Sequence, residues 1–157
     1  MSEAEPADDA GHEGELDRQH PVTIAGVAVE LPSPHPVLTV REVEHPWREL
    51  RIPVGLPEGT AIASVLRDVR SPRPLTHDLF AAALDRFAVR VERVVITDVV
   101  DGTFLAELVL THGQDSATVP CRPSDGVALS LRVTYPVALF ASERLLRAAG
   151  AAPRSGW

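Results

Sequence analysis

Three stretches carry side chains that could do chemistry together. The first is Arg73-Pro74-Leu75-Thr76-His77-Asp78, where a guanidinium, a hydroxyl, an imidazole and a carboxylate crowd the expected start of a helix. Unbonded backbone N–H groups and the positive end of the helix dipole make such a start receptive to an anion. Arg73 and Thr76 are therefore candidates to bind a phosphate, and His77 and Asp78 to act in catalysis. The same residues have an ordinary use, in which Thr76 caps the helix, Asp78 complements its dipole and Arg73 pairs with an acid. The second stretch, Arg122-Pro123-Ser124-Asp125-Gly126, repeats the pattern at a strand-to-helix junction. Arg122 and Ser124 would bind substrate and Asp125 would join the catalytic set. Two such starts can converge on one site or be two separate caps.

The third stretch is a hairpin. Asp101-Gly102 between two β-branched runs is the strongest short-range signal for a two-residue turn. Its register puts Val100 opposite Thr103, Asp98 opposite Leu105 and Ile96 opposite Glu107. Asp98 and Glu107 are then diagonal neighbours across the two strands, about 7 to 8 Å between backbones, within reach of one Mg²⁺ or Mn²⁺ ion or of one arginine. Metal-assisted hydrolysis would use both as ligands and Glu107 in catalysis. The competing reading is a structural ion pair, with Arg73 or Arg122 as the natural partner.

Other sequence signals are missing. No Walker-type phosphate loop, dinucleotide fingerprint, zinc pair or nucleophile elbow occurs, so no organic cofactor is expected. Cys121 reads as a small buried hydrophobe. His12, His20, His35, His45 and His112 show no ligand spacing and read as solvated or incidental, and Trp47 reads as a core residue.

The elements that must position these groups follow from pattern. Alternation marks strands at 22–31, 37–43 and 50–54. Pro57 opens a helix reaching Val69, and Thr76 starts another whose apolar stripe is Leu79, Phe80, Ala83, Leu84 and Phe87. The hairpin spans 89–111, a strand fits 117–122, a helix 124–133, a strand 137–140, and Ser142 caps a last helix. This order lacks regular βαβ alternation. It predicts a single α+β domain with three to four helices on a largely antiparallel or mixed sheet.

Charge and composition bound the rest. The net charge of −7 is concentrated in residues 1–20, where seven acids face Arg18 alone, leaving a nearly neutral remainder. Those residues read as a disordered acidic tail, 21–149 as the domain and 150–157 as a flexible end. Every one of the 15 basic residues is arginine, the side chain that grips phosphate in a bidentate fork. The near-neutral domain lacks the basic excess usual in nucleic-acid binders. A single cysteine, with neither a signal peptide nor an apolar run of membrane-spanning length, places the chain in the cytoplasm without a membrane partner.

Three ordered segments, PRPLTHDL (72–79), VVITD with DGTF.AEL (94–98, 101–108) and RPSD.VALSLR (122–132), resemble the bifunctional nuclease domain family over about residues 37–149. The resemblance implies an α+β domain that self-associates as a homo-oligomer and a nuclease acting on DNA and RNA. By position it points to Arg73, Thr76, His77, Asp78, Arg122, Ser124 and Asp125, with Asp98, Asp101 and Glu107. Gly126 stands where the family usually has Ala. Two functions are carried forward: a divalent-metal-assisted nuclease, and a non-enzymatic regulatory or anion-binding module.

Overall fold

In the computed structural model, which describes residues 14–152, two antiparallel meanders are joined into one sheet by the last strand. The first consists of β1 (Gln19–Val29), β2 (Pro36–Glu42) and β3 (Glu49–Pro53). Two helices follow, α1 (Leu56–Leu66) and α2 (Thr76–Arg86), and then the second meander, β4 (Arg90–Val100), β5 (Thr103–His112) and β6 (Asp115–Cys121). Helix α3 (Pro123–Ser130), strand β7 (Ala138–Ser142) and helix α4 (Glu143–Ala149) follow in that order. The sheet order is β3-β2-β1-β7-β4-β5-β6. β7 runs antiparallel to β1 and parallel to β4, the one parallel pairing among the described strands. The fold is thus a mixed-sheet, single-domain α+β architecture, as the element order predicts.

Strand β2 buries every second residue, Pro36, Leu38, Val40 and Glu42, which is the period of a half-covered sheet. Leu38 and Val40 meet Leu50 and Ile52 of β3, Ile62 of α1, Val127 of α3 and Leu145 of α4 in the larger core cluster. A smaller cluster joins Ala81 of α2 to Val94, Leu108 and Leu129. Helix α3 belongs to both clusters and is buried over most of its length, Ser124 included. It can lie so close to the sheet because Gly126 has no side chain. A Cβ there would come within 2.7 Å of Val94 and 3.3 Å of the Cys121 sulfur.

The hairpin turn is as predicted, with Asp101 at φ 50° and Gly102 at φ 76°, both in the left-handed region that a type I′ turn requires. Val100 faces Thr103 and Asp98 faces Leu105, but the register shifts between Ile96 and Asp98. Glu107 therefore lies opposite Val95, where a regular ladder would have placed it opposite Ile96.

Other boundaries also move. Gln19 and His20 pair with Ser142 and Ala141, so the strand begins inside the segment expected to be tail. Residues 1–13 and 153–157, which hold most of that tail and most of the expected flexible end, lie outside the described residues. Helix α1 stops at Leu66 because Asp68 turns left-handed at φ 53°, with the N–H of Val69 returning to the Ser64 carbonyl, a Schellman closure. Helix α2 closes the same way through Ala88. Most of its apolar stripe does not turn inward: Leu79, Phe80 and Phe87 are 65%, 45% and 75% exposed, while Leu84 packs against the smaller cluster that Ala81 enters. Helix α3 ends at Ser130, short of Val133. Trp47 is half exposed, against the expectation of a core residue, and stands edge-on to His45.

Candidate functional site

Three helix starts meet in space. Pro57, Thr76 and Pro123 lie in the opening turns of α1, α2 and α3, whose first-turn acids are Glu58, Asp78 and Asp125. Asp125 is the centre of the cluster. Its Oδ1 is 3.2 Å from Nε2 of His77, a residue 48 positions away. Arg122 donates to both its oxygens, from Nε at 2.6 Å and from Nη2 at 3.0 Å, and donates from Nη2 to Glu58 at 2.9 Å. His77 is largely buried and Arg122 is mostly exposed, so the cluster opens to solvent on the arginine side.

Asp78 works differently from its neighbour. One carboxylate oxygen accepts from the Leu75 N–H at 2.7 Å, which makes Asp78, and not Thr76, the group that satisfies the helix start. Thr76 is the first residue of α2 and is exposed, with no capping bond from its side chain. The other oxygen of Asp78 accepts from Nε of Arg132 at 2.7 Å. Arg132 is almost wholly buried and ties α2 to two further elements through the carbonyls of Ala128 and Ala61.

These contacts set the charge states. Burial raises the Asp125 carboxyl, but the hydrogen bonds from Arg122 and His77 outweigh it and keep it below the usual carboxylate range. Asp78 is lowered first by the Leu75 N–H and then, against its desolvation, by Arg132. Arg122 is raised further by Asp125 and Glu58. Both acids are thus ionised at neutral pH. Arg122 faces two carboxylates, so the cluster is internally neutralised with one negative charge to spare.

The structure joins His77, Asp125 and Arg122 and puts Asp78 next to them in the chain. It does not bring the hairpin acids into the cluster. Asp98 accepts from the N–H of Val99, and Asp98 and Glu107 line a separate cavity of about 450 Å³ with Asp17 and Arg144. Neither Arg73 nor Arg122 pairs with Glu107. Arg122 is committed to Asp125 and Glu58, and Arg73 is exposed with no ion pair among the described residues. No group of three or more His, Cys, Asp or Glu side chains among the described residues is arranged to hold a metal ion. Cys121 is half-buried against the smaller core cluster, short of the buried hydrophobe expected, and its thiol is pushed up to about 11 by burial and by the Asp125 charge, away from the thiolate a nucleophile needs.

Two functional neighbours escape the sequence reading. Glu58 is a first-turn acid after a proline, the same signal that marks Asp125, and could have been found by it. Arg132 gives no local signal, because its partners are supplied by three other parts of the chain. A third cluster was missed altogether. His20 lies 3.6 Å from Glu42 and 2.8 Å from Glu143, the latter out of line for a hydrogen bond, while Arg48 bonds both acids. His20 is thus neither incidental nor fully solvated.

A mixed-sheet α+β domain with a His–Asp–Arg cluster at converging helix starts is the class of protein that this geometry defines. The chain belongs to the bifunctional nuclease domain family, whose model matches residues 38–153. Two relatives, the uncharacterized proteins MT1877 and Rv1829 of two Mycobacterium tuberculosis strains, are each 39% identical over 129 residues, covering 82% of this chain and 75% of their own length.

Among the described residues, no helix is long and apolar enough to cross a membrane.

Proposed function

We propose that this protein is a nuclease that hydrolyses phosphodiester bonds in DNA or RNA at the His77–Asp125–Arg122 cluster. The observation that carries this reading is the contact between His77 and Asp125, which joins two helix starts that the sequence keeps 48 residues apart. With the Nε2 proton directed at Asp125, Nδ1 of His77 holds the lone pair and can take a proton from an attacking water. The water oxygen bonds to phosphorus, the P–O bond to the leaving nucleoside breaks, the leaving oxygen takes a proton from solvent, and His77 returns the proton it accepted to solvent. Arg122, on the solvent side of the cluster, is the cation placed to meet the charge that develops on the phosphoryl oxygens. Arg73 and Thr76, both exposed, flank the same starts and extend the phosphate contacts, whereas Ser124, expected from the sequence to bind substrate, is buried and does not reach them.

Asp98 and Glu107 are the chain's pair for a Mg²⁺ or Mn²⁺ ion. An ion of this kind is commonly held by one or two carboxylates, with water and substrate oxygens filling the remaining positions. The compartment fits the cytoplasm, where a single unpaired cysteine stays reduced. The exposed apolar face of α2 is the surface available for self-association as a homo-oligomer.

Cleavage of labelled single-stranded DNA and RNA, with Mg²⁺, Mn²⁺ or EDTA, tests the proposal. His77→Ala and Asp125→Asn should each lower the rate by roughly 10²–10⁴-fold while leaving the circular dichroism unchanged. Equal rates in wild type and variants would remove the cluster from the chemistry. A second reading, a non-enzymatic anion-binding module, is favoured by one observation: Glu58, Asp78 and Asp125 are each closed by an arginine. Absence of cleavage by wild-type protein under all three conditions would select it.

A further inference from the structure

A cavity of about 530 Å³ opens between α2 and the segment that follows α3. Its size falls in the range of small-molecule sites, about 300–1,000 Å³. The helix wall carries two small side chains, Ala81 and Ala82, beside Leu84, and Ala88 follows just past the helix end, so that a slot is left where longer residues would have filled it. On the far side, the guanidinium carbon of Arg90 stands 3.9 Å from the centre of the Tyr135 ring. The Tyr135 hydroxyl accepts from the Val91 N–H at 2.8 Å, which fixes the ring in place. Arg90 lines the cavity and is exposed, with its guanidinium resting on the Tyr135 ring.

The charges around the slot select the occupant. Asp78 with Arg132 and Asp85 with Arg90 place two acids and two bases on its walls, which favours a neutral polar molecule over a free anion or cation. Asp78 and Arg132 already satisfy one another. Asp85 has no ion pair among the described residues, and its carboxylate, with the Thr134 hydroxyl, is left to bond the edge of a ligand. A flat ring with exocyclic amines, stacked on a guanidinium and bonded at its edge, is how proteins hold an unpaired base.

We propose that this cavity binds a nucleobase, the base of a nucleotide next to the phosphate handled at His77 and Asp125. The proposal rests on the nuclease reading only for that last clause. Asp78 is the structural link, since it lines the cavity and follows His77 directly in the chain.

The test is two-dimensional NMR of the full chain titrated to several millimolar with adenosine, with a short single-stranded oligonucleotide, and with indole as an aromatic lacking base edges. Adenosine or the oligonucleotide should shift the signals of Ala82, Val133, Thr134 and Tyr135. Arg90→Ala and the slot-filling Ala82→Leu should each weaken that binding at least about fivefold, and His77→Ala should leave adenosine binding intact. Response to the oligonucleotide alone would still support the site and mark its ligand as a chain-borne base. No shift with either nucleic-acid probe, shifts confined to other residues, or indole binding as well as adenosine would overturn the proposal. Adenosine binding by a protein that cleaves nothing would sink the nuclease reading and leave the cavity's assignment standing.

Discussion

Glu143 shows how a single carboxylate can make the fold sensitive to acid. Hydrogen bonds from Arg48 at 2.9 and 3.2 Å and from Arg147 at 2.7 Å outweigh its desolvation and bring its carboxyl from 4.5 down to about 2. A carboxyl depressed in the folded state contributes stability that is complete above its unfolded value and is lost as pH falls toward the folded one. Urea unfolding midpoints should therefore fall between pH 4.5 and about 2, and Glu143→Gln should flatten that slope. A slope unchanged by the substitution would assign the acid sensitivity to Glu42, Asp78 and Asp125, which are also lowered. At this scale the sequence was informative about residue type and poor about pairing. Helix-start chemistry picked out His77, Asp125 and Arg122, but not which acid each base would meet. His20 was misread because its partners Glu42 and Glu143 come from β2 and α4, far along the chain.

Among the elements, helix α3 and the hairpin show where local rules hold and where packing overrides them. On propensity alone, Gly126 weakens the start of α3 by up to about 1 kcal/mol relative to Ala. Contact with Val94 reverses the sign, because an added methyl must displace a buried β-branched side chain at 2.7 Å, and overpacking of that kind costs about 1–3 kcal/mol. Gly126→Ala should lower stability, and Val94→Ala in the same chain should recover part of the loss, a coupling that a double-mutant cycle of denaturant unfolding reads directly. Independent, additive losses would mean that the helix shifts away from the sheet. In the hairpin, the Asp-Gly turn was legible because its dihedral demand is local. The bulge beside Asp98 was not, since an extra residue on one strand leaves the hydrophobic alternation of the other intact. That one residue is why the register of Glu107 was misjudged.

Across the whole molecule, the strand and helix order was legible from periodicity, whereas the outward turn of α2 was not. An apolar stripe looks the same in sequence whether it meets the chain's own core or another surface. Leu75, Leu79, Phe80 and Phe87 leave on one helix and its cap a group of exposed apolar side chains of the kind that marks an interaction site. Sedimentation should find the protein as an oligomer and the Leu79→Ser, Phe87→Ser double variant as a monomer; a monomeric wild type would exclude this face as a self-contact at the concentrations used. The sheet order carries a different consequence, for the protein's synthesis. Each meander can close on itself as soon as its own strands are made, because hairpin contacts are local. The two halves of the sheet stay unjoined until β7, which follows both in the chain, slides between β1 and β4. A ribosome-bound chain therefore carries two open sheet edges until β7 emerges behind the second meander, and its exposure to mispairing is set by how quickly the segment from β6 to β7 is made.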